Sequence, residues 1–265
     1  MHRHPVHLTD TDLRFFTEQG YLVYHHQLFT AEKFRRLQRF FDDMLEQLPE
    51  DARPEGMDSP HFAFPELFEW LAAEEVLDFV ERLIGRNIAL WASHFLCKLP
   101  QRGLAVPWHE DSAYWNVSLS EHKVVTVWLA IDDSLPANGC MRVIPGTHHH
   151  GFSEYEAVDD DSQHVFATRI RPDQLDESKA VDLAIRAGEC HVHHAKLMHS
   201  SSPNTSGHRR CGYTMRYMPT DVKFDPTRQR GRHTVYLLRG QDLAGNDYGE
   251  PGRVFEPGKL RWMGR

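Results

Sequence analysis

The sequence predicts a mainly β protein that opens with helices, and three features carry that prediction. Apolar residues recur at three- and four-residue steps through the first third of the chain. After Asn87 they give way to short β-branched and aromatic runs, and Pro, Gly and Asn separate those runs. Many short strands at such spacing signal a sandwich or a barrel.

Thr9, with Asp12 three residues on, reads as the cap of a short helix that stops at Gly20. Tyr21–Tyr24 follows as a brief strand. Thr30 caps a second helix in which Phe34, Leu37, Phe40, Phe41, Met44, Leu45 and Leu48 recur on one face. Two prolines and a glycine make Asp51–Pro60 a loop. Glu66–Ile84 reads as a helical pair, with Gly85 where a left-handed C-cap falls. The strands expected next are Ile88–Leu99, Val124–Ile131, Cys140–Ile144, His164–Ile170, Ala180–Ile185, Cys190–His194 and Cys211–Met218. From Thr220 to Arg265 the chain is rich in Gly, Arg and Pro, with one strand-like piece at Val235–Leu238, and is expected to lie as loops over the core. Residues 1–265 are thus read as one domain, with a helical flank (1–87), a β core (88–219) and a closing segment (220–265).

At 265 residues, 40% hydrophobic and 26% charged, the chain has the composition of an ordinary soluble globular protein. No stretch approaches the roughly 20 apolar residues a membrane-spanning helix needs. The N-terminal MHRHPVHLTD has no apolar core of the kind a secretory signal carries. The cysteines, Cys97, Cys140, Cys190 and Cys211, form no CxxC pair, so reduced buried thiols and a cytoplasmic location are expected. A formal net charge of −8 argues against nucleic acid, whose phosphates need Lys and Arg, but leaves room for a basic pocket that takes a small anion. The partner expected is therefore a small molecule, with no nucleic acid and no membrane.

The chemistry concentrates at Pro107-Trp108-His109-Glu110-Asp111. Residues two apart on extended chain project to one side, so His109 and Asp111 converge on one ion while Glu110 points away. An imidazole with a carboxylate suits Fe(II), Mn(II) or Zn(II). With 19 histidines in the chain such a triplet also arises by chance. A second segment, His199 to Arg210, lies between two expected strands. A third ligand from there would complete a facial set of two histidines and a carboxylate, which leaves three positions of an iron open for a chelating keto acid and O2. Arg210 begins the next strand, and its planar fork suits a carboxylate.

These pieces resemble the phytanoyl-CoA dioxygenase family of Fe(II)/2-oxoglutarate oxygenases. The likeness rests on Trp108-His109-Glu110-Asp111, Val127 through Asp133, Asn138 through His148, Ala187-Gly188-Glu189 and His199 through Arg210, in that order, with Phe16 and Gly20-Tyr21-Leu22-Val23 near the start. The resemblance implies a double-stranded β-helix (a cupin-like jelly roll) flanked by helices. It also implies a non-haem dioxygenase that uses Fe(II), 2-oxoglutarate and O2 to hydroxylate a small metabolite or natural-product intermediate, releasing succinate and CO2. His109, Asp111 and His199 become the catalytic metal ligands, and Arg210, not Arg209, the 2-oxoglutarate arginine. Ser201, Thr126, Trp128 and Lys98 become further cosubstrate contacts, and Tyr114 and Trp115 match positions that face substrate. Asp111 stands where halogenating relatives have a small residue, so hydroxylation or a related oxidation is expected.

Plainer roles are open for several of these residues. His194 reads as a core or supporting histidine, His148–His150 as a solvated loop, Trp128 as core, Asn138-Gly139 and Pro145-Gly146 as turns, and Arg142 and Lys98 as surface or rim charges. Two histidines and a carboxylate would also serve a zinc hydrolase, or a non-catalytic metal-binding jelly roll. The sequence places no general-base glutamate by motif, and a hydrolase has no use for Arg210.

Overall fold

The computed structural model describes residues 7–48, 52–115, 118–229, 231–257 and 261–262. Helix α1 (Asp10–Gln19) starts at a reciprocal cap: Thr9 Oγ1 accepts from the Asp12 N–H, and the Asp12 carboxylate accepts from the Thr9 N–H and hydroxyl. It stops at Gly20, which is left-handed at φ +79° and where a β-carbon would also strike the His148 ring. Thr30 caps α2 (Ala31–Glu46), whose buried face is Phe34, Leu37, Phe41 and Met44. The helical pair is α3 (Phe68–Leu71) and α4 (Glu74–Ile84). Gly85 corrects one expectation: with φ 86° and ψ 176° it is not a left-handed cap, because the chain runs straight on toward the next strand.

The strands are β1 (Tyr21–Tyr24), β2 (Met57–Asp58), β3 (Ile88–Lys98), β4 (Val106–His109), β5 (Val125–Ala130), β6 (Met141–Val143) and β7 (Tyr155–Ala157). They continue as β8 (Thr168–Ile170), β9 (Val181–Leu183), β10 (Cys190–His194), β11 (His199–Ser201), β12 (Arg210–Pro219), β13 (Tyr236–Arg239) and β14 (Arg261–Trp262). Strands β2, β7, β11 and β14 have two or three residues each, too few for alternation to show in a sequence. The expected loop at Asp51–Pro60 holds β2 and a short 3₁₀ turn, Pro54–Gly56; Asp51 itself lies outside the described residues. The run from His164 shortens to β8.

The larger sheet runs β1-β10-β5-β12-β3-β2-β14, with β13 also on β3; the smaller runs β4-β11-β6-β9. Both are antiparallel. Together they form the expected double-stranded β-helix. The larger sheet is buried on both faces, and alternation divides its side chains between two environments. Val127, Val192, Tyr213, Met215 and Tyr217 join Phe41, Val76 and Phe79 of the helices in the main core. Thr126, Trp128, His193, Arg210, Thr214 and Arg216 alternate with them and face the other way. In the last segment the expected strand-like piece is β13, and β14 is an addition to the loops read there. Cys97, Cys140, Cys190 and Cys211 are buried free thiols. Among the described residues no helix is long and apolar enough to cross a membrane.

Candidate active site

His109 ends β4 and His199 begins β11, and the two are directly opposed in register. Their rings lie 4.0 Å apart between centroids. Each imidazole is oriented by its own backbone: Nδ1 of His109 donates to Pro107 O at 2.8 Å, and Nδ1 of His199 donates to Leu197 O at 2.8 Å. That fixes the proton on Nδ1 and leaves each Nε2 with a free lone pair, as a metal ligand requires. Asp111 follows β4 on a short 3₁₀ turn and puts Oδ1 3.9 Å from both Nε2 atoms. Ligand atoms of the three residues all lie within 4.8 Å of one another, and all three residues are buried.

The protonation states suit a metal. Burial lowers both histidine pKa values and keeps the rings neutral. Burial alone would raise Asp111, yet the Arg216 guanidinium, with His193 and His199, holds its carboxyl well below the usual range. Glu110 turns away, as alternation demands, and its carboxylate accepts from the Ser153 N–H and hydroxyl.

A cavity of about 850 Å³ runs past this cluster, lined from both sheets. One end is cationic. Arg210 opposes Lys98 in register on β12 and β3, and both are buried, Lys98 to 1% exposure. Lys98 is therefore no surface or rim charge. Its Nζ donates to Ser202 O at 2.5 Å and Ser201 O at 3.3 Å, because the β11–β12 turn folds back over it. Arg210 donates from Nε and Nη2 to Gly139 O, at 3.0 and 2.6 Å, and from Nη1 to Leu96 O at 3.3 Å. Among the described residues neither cation pairs with a carboxylate. Burial, with Arg210 alongside, pushes Lys98 well below its ordinary value, and burial pushes Arg210 down to about 10. Buried Glu55 lies within electrostatic reach of both but bonds to neither. Two desolvated basic groups without a direct ion pair are costly, and an incoming carboxylate would relieve that cost.

Arg209 faces the other side of β12, bonded to Asp132 and Asp42. Trp128 does more than pack: it lies beneath Arg210, 5.4 Å from the guanidinium, and is stacked on His191. Its ring covers Gly212, where a β-carbon would fall inside the indole. Gly212→Ala is expected to push Trp128 aside, costing about 1–3 kcal/mol by overpacking and raising the KM for 2-oxoglutarate; thermal melting and steady-state kinetics check both.

Ser201 lines the cavity, while the Thr126 hydroxyl is taken up by Asp111 Oδ2 at 3.2 Å. Tyr114 stands at the far end, 49% exposed, beside Phe166, whose ring is 5.0 Å from that of His109. Trp115 is buried edge-on to Trp91. His194 stays outside the cluster; it accepts from the Lys196 N–H and neighbours His148. His149 and His150 are exposed, as the solvated-loop reading has it, but His148 departs from it, being 9% exposed with Nε2 bonded to Thr17 O. Arg142 is the expected surface charge, and it pairs with Asp182.

A model of the Phytanoyl-CoA dioxygenase (PhyH) family matches residues 16–212. The chain belongs to that family. Family membership and the His-Asp-His site together make it an Fe(II)- and 2-oxoglutarate-dependent oxygenase of the non-haem type. An L-proline trans-4-hydroxylase from Streptomyces griseoviridis is 29% identical over 231 residues, 79% of this chain and 86% of that one. The human peroxisomal phytanoyl-CoA dioxygenase is 30% identical over 55% of this chain and 44% of its own, and a probable alpha-ketoglutarate-dependent hypophosphite dioxygenase from Stutzerimonas stutzeri is 26% identical over 63% and 57%. The chain thus spans about half the length of several curated relatives. Among solved structures, a non-haem alpha-ketoglutarate-dependent carbocyclase from nogalamycin biosynthesis superposes with a TM-score of 0.69 at 22% identity, over 90% of this chain and 98% of that one. That likeness concerns the fold.

Sequence reasoning passed over Arg216, His94, Asp58 and the carbonyl of Gly139. Arg216 lies beyond the matched region, Asp58 sits in a stretch that reads as loop, and a turn glycine advertises its dihedral angles rather than its oxygen.

Proposed function

We propose that this oxygenase hydroxylates a small-molecule metabolite or natural-product intermediate, with release of succinate and CO2. In this reading His109, Asp111 and His199 hold the iron, and Arg210 and Lys98, with Ser201 and Trp128, hold the distal carboxylate of 2-oxoglutarate. Thr126, whose hydroxyl is bonded to Asp111, steadies that metal ligand instead of contacting the cosubstrate. Iron and 2-oxoglutarate together supply the activation of O2, which no side chain provides. The protein's own part is to hold ligands and cosubstrate in place and to exclude water. Tyr114 and Trp115 flank the substrate. The cavity, about 850 Å³, is at the upper end for ligand pockets and leaves room for a substrate beside 2-oxoglutarate.

The observation that carries this reading is the pair of buried basic side chains, Lys98 and Arg210, neither in a salt bridge, at one end of the cavity that holds the two histidines and Asp111. A zinc hydrolase has no use for them. The three chain segments act as one domain in this reading, since Asp58 of the helical flank, the β-core residues and Gln229 with His233 of the last segment line the same cavity. Adding Fe(II) and then 2-oxoglutarate without oxygen is expected to raise a weak visible charge-transfer band. No band, or a band indifferent to 2-oxoglutarate, would overturn the assignment. Succinate formation across a panel of free amino acids and larger natural products then identifies the substrate.

A further inference from the structure

The two oxygens of Asp111 are not equivalent. Oδ2 accepts from Thr126 Oγ1 and from Arg216 Nε, each at 3.2 Å, and His193 Nε2 stands 3.5 Å away. Oδ1 accepts only from Arg216 Nη2, at 3.1 Å, and is the oxygen nearest both metal-facing imidazole nitrogens. A carboxylate oxygen has about two acceptor sites. Oδ2 is therefore filled by the protein, and Oδ1 keeps one site open toward the histidines.

The residue that imposes this asymmetry is itself held. Arg216 Nη1 donates to His94 Nδ1 and to Thr214 Oγ1. A guanidinium has no acceptor, so Nδ1 must be the accepting nitrogen of His94 and Nε2 carries the proton. Nε2 lies 2.8 Å from Asp58 Oδ1, which also receives the Ser59 hydroxyl. The bonds thus have one fixed sense, from Arg216 to His94 to Asp58, while the other edge of the same guanidinium grips Asp111. The guanidinium carbon also stands over the Trp115 ring, 5.3 Å from its centre. Arg216 is at a register shift between β12 and β3, where Trp91 is the extra residue, and this places Trp91 and Ala92 together on the cavity wall.

Building on the assignment of His109, Asp111 and His199 as ligands, we infer that Arg216 is a positioning residue for the metal: its fork presents Asp111 through Oδ1 alone, and the His94–Asp58 arm sets the angle of that fork. Asp58, separated from the metal ligand by two intervening side chains and contributed by the helical flank, then tunes a centre it does not touch.

Co(II), taken up anaerobically by the metal-free protein, tests this without turnover. Arg216→Lys keeps the charge and removes the fork, and is expected to weaken Co(II) about 10- to 100-fold, as loss of such supporting partners does, and to change the visible Co(II) spectrum. Asp58→Asn keeps size and shape and is expected to weaken Co(II) severalfold, with the same spectral change in smaller measure and metal-free melting close to the parent. A merely structural Arg216 would lower the melting temperature and leave affinity and spectrum alone. If both variants bind Co(II) like the parent, the inference fails; should Arg216→Lys not fold, Asp58→Asn decides alone. A parent that takes up neither Co(II) nor Fe(II) would instead sink the metal assignment beneath it.

Discussion

Asp111→Ala is expected to abolish succinate formation and to lower the melting temperature markedly. The first effect follows from ligand loss: the two neutral imidazoles remain, and the one anionic ligand of the set is gone. The second follows from what the substitution strands. Asp111 is the carboxylate partner of Arg216, with bonds of 3.2 and 3.1 Å, and both residues are buried. Removing one member of a buried pair costs about 3–5 kcal/mol, because the other charge stays behind. That is a large share of the roughly 5–15 kcal/mol that holds a domain folded. Asp111→Asn keeps the shape and an acceptor oxygen, so its melting point should fall less while turnover is still lost. Full activity in either variant would remove Asp111 from the ligand set.

Arg210→Ala separates function from stability in the opposite way. A charge-assisted pair of bonds to the distal carboxylate contributes about 3 kcal/mol or more, so the KM for 2-oxoglutarate should rise on the order of a hundredfold or beyond. The fold should barely notice. Arg210 is a buried cation beside Lys98, and the chain satisfies it with carbonyls alone, two bonds to Gly139 and one to Leu96. Its removal leaves neutral acceptors behind rather than a naked charge, so the metal-free melting point is expected to stay within a few degrees. The parent, given Co(II) and 2-oxoglutarate at a hundred times its Kd, should gain about 2.7 kcal/mol of stability by mass action, and the variant should gain none. Arg210→Lys would not restore it, since an ammonium lacks the two parallel donors. Undiminished succinate production by Arg210→Ala would reject the assignment.

Much of the fold was legible wherever a signal is local. The Thr9 and Thr30 caps, the Gly20 stop and the strands at Cys190–His194 and Cys211–Met218 rest on neighbours in the chain, and the structure has them within a residue or two. The shortest strands escaped because pairing, not pattern, creates them: Met57–Asp58 is a strand only because β3 and β14 lie beside it. For Lys98 the sequence leaves two roles open, a cosubstrate contact by resemblance and a rim charge, as a lysine usually is. It is buried because Arg210 stands opposite it in register and the turn after β11 covers it.

By themselves, the residues in order determined the class of fold, the two histidines and carboxylate, and the choice of Arg210 over Arg209. Spacing pairs His109 with Asp111, since alternation along a strand assigns neighbours to opposite faces; His199 as third ligand and Arg210 over Arg209 are what the family resemblance implies. Only the tertiary structure decided what surrounds Asp111. Arg216, His94 and Asp58 come from three strands and meet through register, and a charge's cost or benefit depends on what lies within a few ångströms, whatever the distance along the chain.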